Sequence, residues 1–212
     1  TWNVLDVHAP EAWTECGRGE GAVVANIDTG VQWDHPALVD SYRCPAEPAD
    51  PSCWYDPANV CSGTPCDNVG AGTHAMGIMV GKDDPILPYM VGVAPGAQWI
   101  ACKGCEGYSC SEYALTACAD WALAPGGNPD NRPDAVVNGW GGGGCNGWFQ
   151  TYVNAWVVAG IFPVFPPGHS GPSCGTLSSP GDYANVFAAT AHDSTRVILP
   201  NTSRGPSCFT TA

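Results

Sequence analysis

The sequence predicts an α/β protein: a doubly wound, mostly parallel sheet with helices on both faces. Three observations predict it. Short, nearly continuous apolar runs recur along the chain, as strands buried on both faces would read. Stretches of helical length separate them, and strand–helix alternation specifies parallel pairing. Asp28, Gly139-Trp140-Gly141 and His169 each follow the end of an apolar run, where such sheets gather their functional loops.

The elements follow in order. Residues 10–16 read as a short helix that packs Trp13 inward. Residues 21–27 are the first buried strand, ending at Asp28. Residues 40–70 hold Pro, Cys, Asp and Gly with little periodicity and predict a cystine-tied surface insertion. Residues 73–80 form the helix that carries His74, and 91–97 a turn into the strand 98–103. Residues 111–124 are an amphipathic helix with Ser111 at its start. The strand 134–140 runs into Gly141 to Gly144; then come a helix over 148–159, a strand over 161–165, the loop 166–170 and a last strand over 185–191. No internal repeat appears.

The length of 212 residues suits one domain spanning 1–212, and 44% hydrophobic residues allow a sizeable core. The 27 Gly and 20 Pro, without a period, predict many loops rather than a fibre. A formal net charge of −13 repels a phosphate backbone, which argues against nucleic-acid binding. A solvated extracellular surface accounts for that charge. No apolar stretch is long enough to span a bilayer as a helix.

Twelve cysteines point to disulfides and an oxidising compartment, hence to a secreted protein. Cys61–Cys66 and Cys105–Cys110 would close short loops. Zinc is the competing use of Cys102-x-x-Cys105 and Cys61-x4-Cys66, but no second close pair completes a four-ligand set. A redox Cys-x-x-Cys would more often sit in a small βαβ domain. Thr1 reads as a mature amino terminus, and Asn201-Thr202-Ser203 fits the short glycosylation acceptor pattern.

The chemistry-bearing residues are an acid and a histidine. Asp28 is followed by Thr29-Gly30-Val31, and His74 sits in Gly72-Thr73-His74. A serine hydroxyl needs a base to take its proton, and the imidazole of that base needs a carboxylate to fix its tautomer. Asp28 is the candidate orienting acid and His74 the candidate base. Singly, each has a plainer explanation, as a strand-end turn cap and a helix histidine. Asp-Thr-Gly also marks aspartic proteases, but those use two such motifs and only one occurs here.

Acid before histidine is the opening order of the subtilisin triad. The resemblance extends along nearly the whole chain. Val24-Ala25-Asn26-Ile27-Asp28-Thr29-Gly30-Val31 with Asp34-His35-Pro36-Ala37-Leu38 resembles the acid motif of the subtilisin-like serine peptidases. Gly72-Thr73-His74, Gly92-Val93-Ala94-Pro95-Gly96-Ala97, residues 159–165 and 187–193, and Ser203-Arg204-Gly205-Pro206-Ser207 resemble later family segments. Trp2-Asn3-Val4, Trp54-Tyr55-Asp56 and Trp121-Ala122-Leu123-Ala124-Pro125 are most similar to the bacillopeptidase F branch.

The resemblance implies an extracellular serine endopeptidase that cuts polypeptides through an acyl-enzyme. The family's Gly-Thr-Ser-Met-Ala nucleophile motif is absent. Gly175-Thr176-Leu177-Ser178-Ser179-Pro180 lies too early to replace it, so Ser178 and Ser179 are rejected as nucleophiles. The domain is therefore expected to be C-terminally incomplete, with the serine beyond residue 212 or on a companion chain. The family's oxyanion loop reads Pro166-Pro167-Gly168-His169-Ser170-Gly171, with His169 where an Asn donor is usual. The substrate strand reads Asn138-Gly139-Trp140-Gly141; the resemblance implies that a peptide docks along Gly139 as an added strand and that Trp140 and Gly141 line the pocket for the substrate residue before the scissile bond. These departures motivate an alternative, a non-catalytic binding or structural relative, and misassigned residues would look the same. The resemblance implies no required cofactor. Calcium accompanies the family, with Asp67, Asp83 and Asp84 in loops but no convincing ligand spacing.

Overall fold

The computed structural model describes residues 1–83 and 91–209. The chain divides into two compact units, Thr1–Asp134 and Ala135–Ala212.

The first unit begins with α1 (Trp2–Asp6) and α2 (Ala9–Cys16). Trp13 of α2 is only half-buried, and its indole N–H donates to the Val93 carbonyl at 2.8 Å. The strands β1 (Val23–Asp28), β2 (Trp54–Tyr55) and β3 (Gln98–Lys103) pair in parallel with β3 central, flanked by β1 and β2. Register partners run from Val23 with Gln98 to Asp28 with Lys103, so both strands end at one level. Ala25 and Ile27 of β1 and Ile100 and Ala101 of β3 are fully buried, as the apolar runs predict. The helices α3 (Ala71–Val80) and α4 (Glu112–Leu123) both pack against β1 and β3. Ser111 caps α4, its hydroxyl accepting from the Ala114 N–H at 3.1 Å. A short hairpin, β4 (Cys105–Glu106) and β5 (Ser109–Cys110), follows β3.

The stretch 40–70 is tied by Cys44–Cys53 and Cys61–Cys66, as expected, but it also contributes β2 to the sheet. Trp54 is 5% exposed there. Two residues are too few for any period to show, which is why the sequence hides this strand.

The second unit holds β6 (Ala135–Asn138), β7 (Phe162–Phe165) and β8 (Phe187–Ala188), parallel and in that order, with α5 (Gln150–Val158) against β7. The strand expected over 185–191 shrinks to two residues. The core here is aromatic: Trp140, Phe149, Trp156 and Phe165 are buried, and their rings meet largely edge to face.

Five disulfides form, including the two expected short loops, Cys61–Cys66 and Cys105–Cys110. Cys102 pairs with Cys118 and so staples β3 to α4, which takes both members of the Cys102-x-x-Cys105 pair away from zinc. No helix among the described residues is long and apolar enough to cross a membrane.

Candidate active site

Asp28 closes β1 with 5% exposure. Its Oδ1 accepts from the Thr29 N–H at 2.6 Å. Burial pushes its carboxyl above the ordinary carboxylate range; the Thr29 N–H opposes this, the nearby Asp67 charge adds to it and Lys103 opposes it.

Thr29 is the hub of this strand end. Its hydroxyl donates to Asp67 Oδ1 at 2.9 Å and accepts from the Gly72 N–H at 3.0 Å. Its carbonyl accepts from Lys103 Nζ at 2.6 Å. Asp67 in turn caps α3. Its oxygens accept from the N–H groups of Val69, Gly70 and Thr73 and from the Thr73 hydroxyl, at 2.6–3.1 Å. Burial alone would raise the Asp67 carboxyl, but these hydrogen bonds outweigh it and hold it below the ordinary range.

The start of α3 is pressed onto the end of β1. A Cβ on Gly72 would lie 2.0 Å from the Gly30 carbonyl oxygen and 3.1 Å from Asp28 Cβ, so only glycine fits. Asn26 Nδ2 also donates to the Gly72 carbonyl, at 3.1 Å.

This contact decides where His74 goes. Two residues on an α-helix differ in direction by about 200°. Gly72 faces Asp28 and Met76 is fully buried, so His74 turns outward and is exposed. Among the described residues no hydrogen bond joins it to Asp28. His74 instead lines a groove of ≈ 460 Å³ with Thr1, Gln32, His35 and Ile78 among others. The structure thus brings Asp28 to Thr29, Asp67, Gly72 and Lys103, and leaves His74 exposed. The helical period at Gly72-x-His74 carried that signal in the sequence.

In the second unit, Gly139 and Gly141 are exposed after β6. Trp140 differs from expectation. It is 6% exposed, packs on Phe149 and Phe165, and donates its indole N–H to Asn138 Oδ1 at 3.1 Å. Its ring belongs to the core, so any contribution to a substrate comes from its backbone. His169 is exposed in the loop after β7 and lines a ≈ 250 Å³ cavity with Pro167, Ala191 and Asn201 among others. Ser178 and Ser179 are both used structurally: the Ser178 N–H donates to the Pro167 carbonyl, and the buried Ser179 hydroxyl accepts from the Asn146 N–H.

Of the acidic loop residues considered for calcium, Asp67 and Asp83 are engaged within the protein. Asp67 already accepts five hydrogen bonds. Asp83 is bound by Arg18 Nη2 at 2.7 Å and by the Val91 N–H. Asp84 lies outside the described residues. Sequence reasoning missed Lys103, whose signal was a lone lysine closing an apolar strand.

Comparison with known proteins agrees with the fold. Residues 19–212 match the subtilase family. Bacillopeptidase F of Bacillus subtilis (strain 168) is 40% identical over 225 residues, covering 98% of this chain and 15% of that protein. Subtilisin Savinase of Lederbergia lenta is 30% identical over 195 residues, covering 91% of this chain and 63% of that protein. The alkaline protease of Shouchella clausii is 30% identical, with 45% of its length covered. The chain therefore spans less than two thirds of each of these relatives. With a parallel sheet in each unit and the family match running from residue 19 onward, this chain belongs to the subtilase family.

Proposed function

We propose that this chain forms part of a secreted serine endopeptidase that hydrolyses polypeptides through an acyl-enzyme. The observation that carries this reading is Asp28, a buried carboxylate at the carboxyl end of the parallel strand β1 in a subtilase chain. In that chemistry the carboxylate orients an imidazole, the imidazole takes a proton from a serine, and the serine attacks the peptide carbonyl. Asp28 takes the first role. The serine comes from the remainder of a longer chain or from a companion chain. His74 is the candidate imidazole by chain order, and reaching Asp28 requires the first turns of α3 to reorient. Substrate pairs as an added strand along the backbone of Gly139, Trp140 and Gly141, and His169 faces the developing oxyanion. Five disulfides support an oxidising, extracellular setting. The reaction needs no cofactor.

One observation favours a second reading, a polypeptide-binding relative without catalysis: among the described residues the exposed His74 makes no hydrogen bond to Asp28. A serine-directed fluorophosphonate probe applied to the native protein, together with hydrolysis of unfolded casein, separates the two. Labelling and cleavage that Asp28→Asn lowers by at least about 10²-fold support the peptidase. Casein binding without labelling or cleavage supports the binding protein.

A further inference from the structure

Lys103 is the least expected residue of the first unit. It closes β3, is 0% exposed and is the register partner of Asp28. A buried ammonium persists only where acceptors surround it. Here Nζ donates to the Thr29 carbonyl at 2.6 Å, Asn68 Oδ1 at 3.0 Å and the Cys105 carbonyl at 3.3 Å, with Glu106 Oε2 also at 3.3 Å. The first of these holds the residue whose own N–H donates to Asp28. The second and third tie in the loop before α3 and the β4–β5 hairpin.

We propose that Lys103 is a positioning residue for Asp28: it pins Thr29 behind the carboxylate and sets a buried positive charge beside it at the strand end. The proposal deepens the peptidase reading, because an orienting acid must be charged and fixed to hold an imidazole. The charged groups that face the pair are few. Asp67, before α3, opposes ionisation of Asp28, and Glu106, on β4, faces Lys103 from the solvent side with its carboxylate 40% exposed. Lys103 is thus the cation built into this strand end, and its attraction acts against both burial and Asp67.

The test titrates the Asp28 carboxyl by NMR in the full 212-residue chain labelled with 13C at Asp, its resonance assigned by its loss in Asp28→Asn. Lys103→Met is expected to raise the Asp28 proton affinity at least tenfold. Lys103→Arg, which keeps the charge, is expected to stay within threefold of the parent. An unchanged Asp28 titration in folded Lys103→Met overturns the proposal. Should Lys103→Met not fold, reciprocity supplies the second measurement, because a coupling between two sites is equal in both directions. Asp28→Asn, close to isosteric, must then lower the Lys103 ammonium proton affinity at least tenfold by 15N detection, and no change overturns the proposal. Neither readout involves hydrolysis, so loss of the peptidase reading and loss of this one are separate outcomes.

Discussion

The two units hold their strand ends in opposite ways. In the first, the ends of β1 and β3 are fixed by charge and hydrogen bonds, with Asp28, Thr29, Asp67, Gly72 and Lys103 in one network. In the second, the end of β6 is fixed by aromatic packing, with Trp140 against Phe149 and Phe165 and a single indole hydrogen bond to Asn138. A polar network in a low-dielectric setting specifies geometry, but it penalises any unpartnered member. An aromatic cluster gives bulk stability with less demand on the orientation of each polar atom. The first unit is therefore the place to look for chemistry, and the second for a firm backbone on which a peptide can lie.

The difference is sharpened first by Trp156→Ala. Trp156 is fully buried and stacks on Phe165. Its truncation is expected to destabilise by about 3–5 kcal/mol in denaturant melts, the largest effect considered. A cost under about 1 kcal/mol would mean that the aromatic cluster is not what supports β6 and β7.

Asp67→Ala comes next. It strands the N–H groups at the start of α3 and the hydroxyls of Thr29 and Thr73. The expected loss is about 1–3 kcal/mol, because several of these donors can turn to water. The same melts, with hydrogen exchange at Gly72 and Thr73 rising ahead of exchange in α4, check it.

The smallest and most informative effect is the pH dependence of Asp28→Asn. The folded carboxyl lies above its unfolded value, chiefly through burial. Its contribution to stability is therefore fully present below the unfolded pKa and is lost as pH rises through the folded one. Asp28→Asn keeps an acceptor for the Thr29 N–H and removes the charge. It is expected to be more stable than the parent at neutral pH, with the gap closing as pH falls into the carboxylate range. Melting temperatures across pH 3–7 would show it, and a gap that widens on acidification would contradict the sign.

Much of this architecture was legible in the sequence. The run 98–103 coincides with β3, and Ser111 starts α4 as a hydroxyl N-cap should. The two short cystine loops are ones the spacing allowed, although it did not fix the pairing. What escaped has physical causes. β2 is two residues long and takes its pairing from β3 rather than from any pattern of its own. Trp140 looked like a pocket residue because its segment matches the family's substrate strand, yet an indole is more stable in the core once Asn138 accepts its N–H. Lys103 drew no notice as the last residue of the strand 98–103, and only the parallel register sets it beside Asp28. His74 carried a motif frame, whereas Gly72 is the residue of α3 pressed onto the end of β1 and His74 itself is exposed.

The central claim is that, in the chain free of substrate, the ionisation of Asp28 is set by burial first and then by Thr29, Asp67 and Lys103, and not by His74. The direct measurement is the Asp28 carboxyl titration, by 13C NMR, in the parent chain and in His74→Ala. The account predicts superimposable curves. A marked rise in the proton affinity of Asp28 on losing the imidazole would contradict it, and would show that the two side chains meet in solution.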